Sequence, residues 1–199
     1  SLSFAVFIII LIGIINAFGI KKVGQFQFIT TILKIIPLLA TIIIGFFVFN
    51  LSNFTPINIS QETNLEALTI TTALTFFAFL GIESATIPAD GIKNPKSTIP
   101  KATMIGTSLT FLIYVLSSIA IIGIMSPSEI VLSNAPYADA MGFVLGESAK
   151  SIIAIFAIIS GLGCLNGWTL LQIEIPRSLA KKKLLGSIFS DKGSNRVPT

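Results

Sequence analysis

The 199-residue chain is 53% hydrophobic and only 11% charged, with 13 Lys+Arg against 9 Asp+Glu and a mean hydropathy of +0.90. A soluble domain carries about 25% charged residues to cover its outside, so this composition excludes a water-soluble enzyme and a disordered segment. His is absent, which removes imidazole acid–base chemistry and the commonest metal ligand, and the single Cys, Cys164, can form neither an internal disulfide nor a thiolate metal cluster.

In chain order, five apolar stretches approach the length of about 20 residues that a hydrocarbon core demands of a helix: residues 2–20, 28–49, 68–89, 102–125 and 152–173. Their apolar residues run on instead of alternating, which predicts helices and not barrel strands. Charges fall between them unevenly. Lys21 and Lys22 follow the first stretch, and residues 50–67 hold Glu62 and Glu66 without a cation. Residues 90–101 hold Lys93, Lys96 and Lys101, whereas 126–151 hold Glu129, Asp139 and Glu147 against Lys150. Arg177, Lys181, Lys182, Lys183, Lys192 and Arg196 follow the fifth. Cation-rich connectors stay in the cytoplasm, so 21–27, 90–101 and a tail 174–199 are expected there. The chain opens without an initiator Met or a charged leader region, so its first stretch reads as a span and not as a signal peptide. With a tail that stops in mid-phrase, it reads as an interior fragment of a longer polytopic protein. Asn50-Leu-Ser, Asn53-Phe-Thr and Asn58-Ile-Ser are glycosylation-type triplets, which a loop rich in Asn, Ser and Thr makes by chance.

The third stretch carries Gly81, Glu83, Ser84, Thr86 and Pro88 in its second half. Gly and Pro weaken a helix there, and a carboxylate inside a bilayer needs solvation or a partner. The expectation is a helix broken partway across, with Glu83 at a cavity. The alternative is that Glu83 sits near the cytoplasmic interface and reaches water. Lys34 is the second charge inside an apolar stretch. Buried, it could load and release a proton near neutral pH; otherwise it snorkels to the cytoplasmic headgroups. In the fifth stretch Ser160, Cys164 and Trp168 are spaced to share one helix face. Gly163 and Gly167 form a small-xxx-small pair that lets another helix approach closely.

The segments Phe-Phe-Ala-Phe-Leu-Gly-Ile-Glu-Ser-Ala (76–85) and Lys-Asn-Pro-Lys-Ser-Thr-Ile-Pro-Lys-Ala (93–102) resemble those of the amino acid–polyamine–organocation (APC) transporters. The likeness is nearest to the basic amino acid/polyamine antiporter branch. Asn16-Ala-Phe-Gly-Ile-Lys, Ala-Pro-Tyr-Ala-Asp-Ala (135–140) and Gly167-Trp-Thr-Leu-Leu extend the likeness along the whole chain. It implies an all-α membrane protein: part of a bundle of two inverted five-helix repeats. The five stretches would be its fourth to eighth helices, the third of them broken, within a single permease domain covering residues 1–199. It implies a substrate site formed by Phe77, Leu80, Gly81, Glu83 and Trp168. Phe77 stands where some antiporters stack a Trp on substrate; Leu80 matches an apolar contact, Glu83 a carboxylate of substrate handling and pH response, and Trp168 an aromatic lining the site. Lys34 matches a lysine that, in some proton-coupled relatives, takes the place of a sodium ion.

The expected function is therefore secondary active transport of amino acids, with cationic amino acids or polyamines the nearest class. The mechanism would be alternating access with proton-coupled symport or exchange. Expected partners are that small molecule, protons and the lipid bilayer of a bacterial inner membrane; a homodimer is compatible with this. No cofactor, metal or nucleic acid is expected. The rivals are a transporter-like nutrient sensor that binds without transporting, and a membrane-embedded enzyme using Glu83 and Glu174.

Overall fold

The computed structural model describes residues 2–17, 20–60, 62–82, 84 and 92–186. Among these residues every regular element is helical: α1 (Leu2–Ala17), α2 (Ile20–Phe47), a 3₁₀ turn (Leu51–Phe54), α3 (Asn64–Phe77), α4 (Pro95–Ile124), α5 (Pro127–Leu132), α6 (Pro136–Leu145) and α7 (Glu147–Lys181). Three of them, α2 from Val23, α4 and α7, are long and apolar enough to cross a membrane. The five expected spans thus become three full-length helices and two shorter ones. α1 has 16 residues and α3 has 14, and at 1.5 Å per residue neither covers a 30 Å core.

Three connectors read from the charges are helical instead. Lys21 and Lys22 lie inside α2, the segment from Pro95 to Lys101 opens α4, and α7 runs past residue 173 to Lys181. Lys and Gln are good helix formers, so a short polar run between apolar ones continues the helix unless Gly or Pro ends it. Pro95 starts α4 at its first turn, where its missing N–H is one of the unpaired donors anyway, and the preceding Asn94 takes the left-handed conformation (φ 51°). Pro37 lies within α2, and the Thr41 hydroxyl donates to its carbonyl at 2.8 Å.

The chain divides into two compact units. Unit 1 comprises Ser1–Ile35, Ile87–Gly91 and Phe156–Thr199; unit 2 comprises Ile36–Thr86 and Ile92–Ile155. In unit 2, Ile121, Ile124 and Met125 of α4 bury against Ala140 of α6, with Ile130, Tyr137 and Val144 alongside. Gly123 accommodates the Phe49 ring where a Cβ would stand, and its carbonyl accepts from the Asn50 amide at 2.9 Å. Two capping boxes begin helices here: Thr63 with Glu66 at α3 and Ser126 with Glu129 at α5. The side-chain amides of Asn53 and Asn58 are both engaged, donating to the carbonyls of Ile122 and Glu62 at 3.0 Å each.

Candidate functional site

α3 ends at the point where its sequence turns polar. The amides of Ala78, Phe79 and Leu80 donate to the carbonyls of Thr75, Phe76 and Phe77 at 3.0–3.3 Å, so the last turn tightens into 3₁₀ geometry. Gly81 then adopts φ 95°, a left-handed conformation in which a side chain would be strained. Its carbonyl accepts from both the backbone amide (3.0 Å) and the hydroxyl of Ser84. Backbone groups here are thus turned out of the helical ladder, which in a bilayer requires a polar or protein-lined setting.

Phe77 closes α3 and is 69% exposed; Leu80 is also exposed, and Gly81 is half-buried. These three predicted residues are therefore brought together within one turn. Beside them lies a cavity of about 470 Å³, lined by Phe79, Gly81 and Ile82 from the turn and by Thr103, Thr107 and Thr110 of α4. Phe79 packs at a tilt on Tyr114, ring centroids 5.7 Å apart. Within α3, the hydroxyls of Thr69, Thr72 and Thr75 donate to carbonyls one turn back at 2.7–2.8 Å. These threonines therefore sit in an apolar helix with their hydroxyl protons already satisfied. Glu83 lies outside the described residues.

Lys34 and Trp168 belong to unit 1. Lys34 is half-buried on α2 and forms no hydrogen bond or ion pair among the described residues. Trp168 is 54% exposed on α7 and Cys164, one turn before it, is exposed too, while Ser160 is half-buried. The predicted face of α7 thus opens away from its neighbours. The small-residue pair borders that face, and its partner helix is α2. A Cβ on Gly163 would stand 2.6 Å from the Thr30 hydroxyl and 2.8 Å from the Thr30 Cβ. One on Gly167 would meet the Gln27 amide at 3.7 Å.

An unpredicted chain of amides crosses this seam. Asn16 Nδ2 donates to the Ile12 carbonyl at 2.9 Å and to Asn166 Oδ1 at 3.0 Å; Asn166 Nδ2 donates to Gln27 Oε1 at 2.9 Å. Asn16 and Asn166 are both 0% exposed. The spelling of the sequence held a signal: an Asn inside each of two apolar helices needs a partner there. Further along α7, Glu174 is buried and its carboxylate accepts from Arg177 at 2.8 Å, an ion pair within one helix.

Apolar helices of membrane length, closed by hydroxyl back-bonds and amide pairs and interrupted beside a cavity, define a polytopic helical membrane protein. The sequence model of the amino acid permease family matches residues 1–199, and the chain belongs to that family. Its relatives include a cadaverine/lysine antiporter of Escherichia coli, 28% identical over 185 residues (92% of this chain, 42% of that protein). A putrescine transporter of Haemophilus influenzae is 28% identical over 197 residues (97% and 45%). An arginine/ornithine antiporter of Pseudomonas aeruginosa is 30% identical over 187 residues (90% and 38%). The chain thus spans less than half the length of these relatives.

Proposed function

We propose that the protein of which this chain is part carries amino acids across a bacterial plasma membrane by alternating access. Cationic amino acids or polyamines are the favoured substrates, by proton-coupled symport or exchange. The chain supplies half of a permease domain, its fourth to eighth helices, with α3 as the first half of the broken sixth. The observation that carries this reading is the helix end at Phe77–Gly81 beside a cavity, in a member of a family whose named relatives handle lysine, cadaverine, putrescine, arginine and ornithine. Those substrates share a cationic amine, and an aromatic face with a nearby carboxylate is the chemistry that binds one. Phe77, Leu80, the backbone at Gly81 and Glu83 are assigned to substrate contact, and Trp168, in the other unit, is assigned separately as a substrate-contacting aromatic. Glu83 and Lys34 handle the coupled proton, both being ionisable groups within apolar segments. The relatives named above are transporters, which speaks against the enzyme reading.

The test is flux of the full-length protein in proteoliposomes, with labelled lysine, arginine and putrescine offered against internal unlabelled substrate. Saturable uptake or exchange is expected, and Glu83→Gln should flatten or shift its pH–rate profile. Binding without flux would identify a sensor and overturn the proposal. An unchanged pH profile in Glu83→Gln would remove Glu83 from the mechanism.

A further inference from the structure

Asn166 is tied on both sides. It accepts from Asn16 of α1 and donates to Gln27 of α2, so a turn of α7 about its axis breaks at least one bond. The direction of donation is fixed as well. The Ile12 carbonyl can only accept, so Asn16 must present its NH₂ to both Ile12 and Asn166, and Asn166 must then present its own to Gln27. This arrangement leaves Asn16 Oδ1 buried without a hydrogen-bond partner among the described residues. A spare carbonyl in an apolar seam is unfavourable, and Leu at these positions would fill the volume without it. Close approach of α2 and α7 is already provided by Gly163 against Thr30.

Successive residues turn by about 100° around a helix, so Cys164 and Trp168, two before and two after Asn166, both lie across the helix from it. That is the exposed face of α7. We infer that Asn166 is a positioning residue: the amide chain Asn16–Asn166–Gln27 sets the rotation of α7 and thereby the direction in which Trp168 is presented. This rests on the proposal above that Trp168 contacts substrate. Asn166 itself touches no substrate; it acts through the helix.

The experiment uses the full-length protein in which Cys164 is the one remaining cysteine. Transport kinetics are measured together with the labelling rate of Cys164 by 2-(trimethylammonium)ethyl methanethiosulfonate. Asn166→Leu should raise KM about tenfold with a smaller change in kcat, because a displaced binding group costs affinity and alignment. It should also change the Cys164 labelling rate several-fold. Loss of thermal stability with KM and labelling at parent values would mean the amides are packing contacts only, and would overturn the inference. If Asn166→Leu does not reach the membrane, Gln27→Leu and Asn16→Leu, each removing one arm, decide it. A shifted labelling rate in either supports the inference, and parent values in both overturn it. Trp168→Ala separates the two proposals. An unchanged KM there removes Trp168 from the substrate site, while Cys164 labelling in Asn166→Leu still decides whether the amide chain sets the rotation of α7.

Discussion

The α2–α7 seam of unit 1 and the α4–α6 end of unit 2 are held together by different physics. In the seam, glycine notches and amide hydrogen bonds bring helices into contact: Gly163 on Thr30, Asn166 between Asn16 and Gln27. Apolar burial contributes little to association where the surroundings are lipid, so close packing and interhelical hydrogen bonds carry it. At the α4–α6 end side-chain packing in a small apolar cluster makes the contact. Ile121, Ile124 and Met125 pack on Ala140, and the short helices start at capping boxes or at prolines. The lesson is that a single chain joins helices by backbone proximity and amide pairing in one region and by apolar side-chain packing in another.

The largest expected effect tests the seam. Gly163→Ala forces a methyl group against Thr30, whose own hydroxyl is held by the carbonyls of Phe26 and Gln27 at 3.1 Å and cannot simply swing away. The cost should be on the order of 1–3 kcal/mol, read as a lower melting temperature of the solubilised full-length protein. Thr30→Gly in the same background should restore part of it. Two residues earlier, a Cβ on Gly161 meets nothing within 4 Å, so Gly161→Ala should be neutral or gain up to about 1 kcal/mol from helix propensity. Equal effects at the two glycines would erase the distinction between a notch and an ordinary helical glycine.

A smaller effect tests the other region. Ser117, 0% exposed on α4, donates to the Tyr114 carbonyl at 3.2 Å, so the Tyr137 hydroxyl of α6 is the donor across the 2.9 Å bond to Ser117. Tyr137→Phe keeps the ring in the apolar cluster and leaves the Ser117 oxygen short of a donor. Its expected cost is about 1 kcal/mol in the same melting assay. A loss as large as that of Gly163→Ala would show that this end, too, depends on polar pairing more than on burial.

Much of this was legible in the residues, and the failures have physical causes. Gly81 with Ser84 and Pro88 announced that the third apolar stretch would not run through, and α3 stops at Phe77. Gly163 and Gly167 announced a close helix contact. They did not say which helix would fill it, because α7 is apolar nearly all round and its periodicity marks no preferred face. For the same reason Asn16, Gln27 and Asn166 were invisible as a set: the partner of a buried amide is chosen by helix rotation, which spacing alone does not encode. α2 starts at Ile20 and takes in the expected connector, because Lys21, Lys22, Gln25 and Gln27 look solvated although Lys and Gln are strong helix formers. The capping boxes at Thr63 and Ser126 are spelled in the sequence as Thr-x-x-Glu and Ser-x-x-Glu.

The smallest effect separates the regions by pH. Asp139 of α6 accepts from the Ser133 hydroxyl and pairs with Lys150 at 3.1 Å, and these two contacts, the hydroxyl first, hold its carboxyl below the usual Asp range. A carboxylate with a depressed folded pKa stabilises the folded state above its unfolded pKa of about 3.9, and that contribution is lost as pH falls through the lower folded value. Backbone hydrogen exchange of residues 133–150, corrected for intrinsic rates, should therefore quicken between pH 5 and pH 3. Asp139→Asn should exchange faster at pH 5 and change little between the two. Residues 160–168, held by amides that do not ionise, should keep the same protection at both pH values. If the α6 segment is equally indifferent to pH, the Asp139 contacts are surface decoration, and α6 rests on its apolar cluster alone.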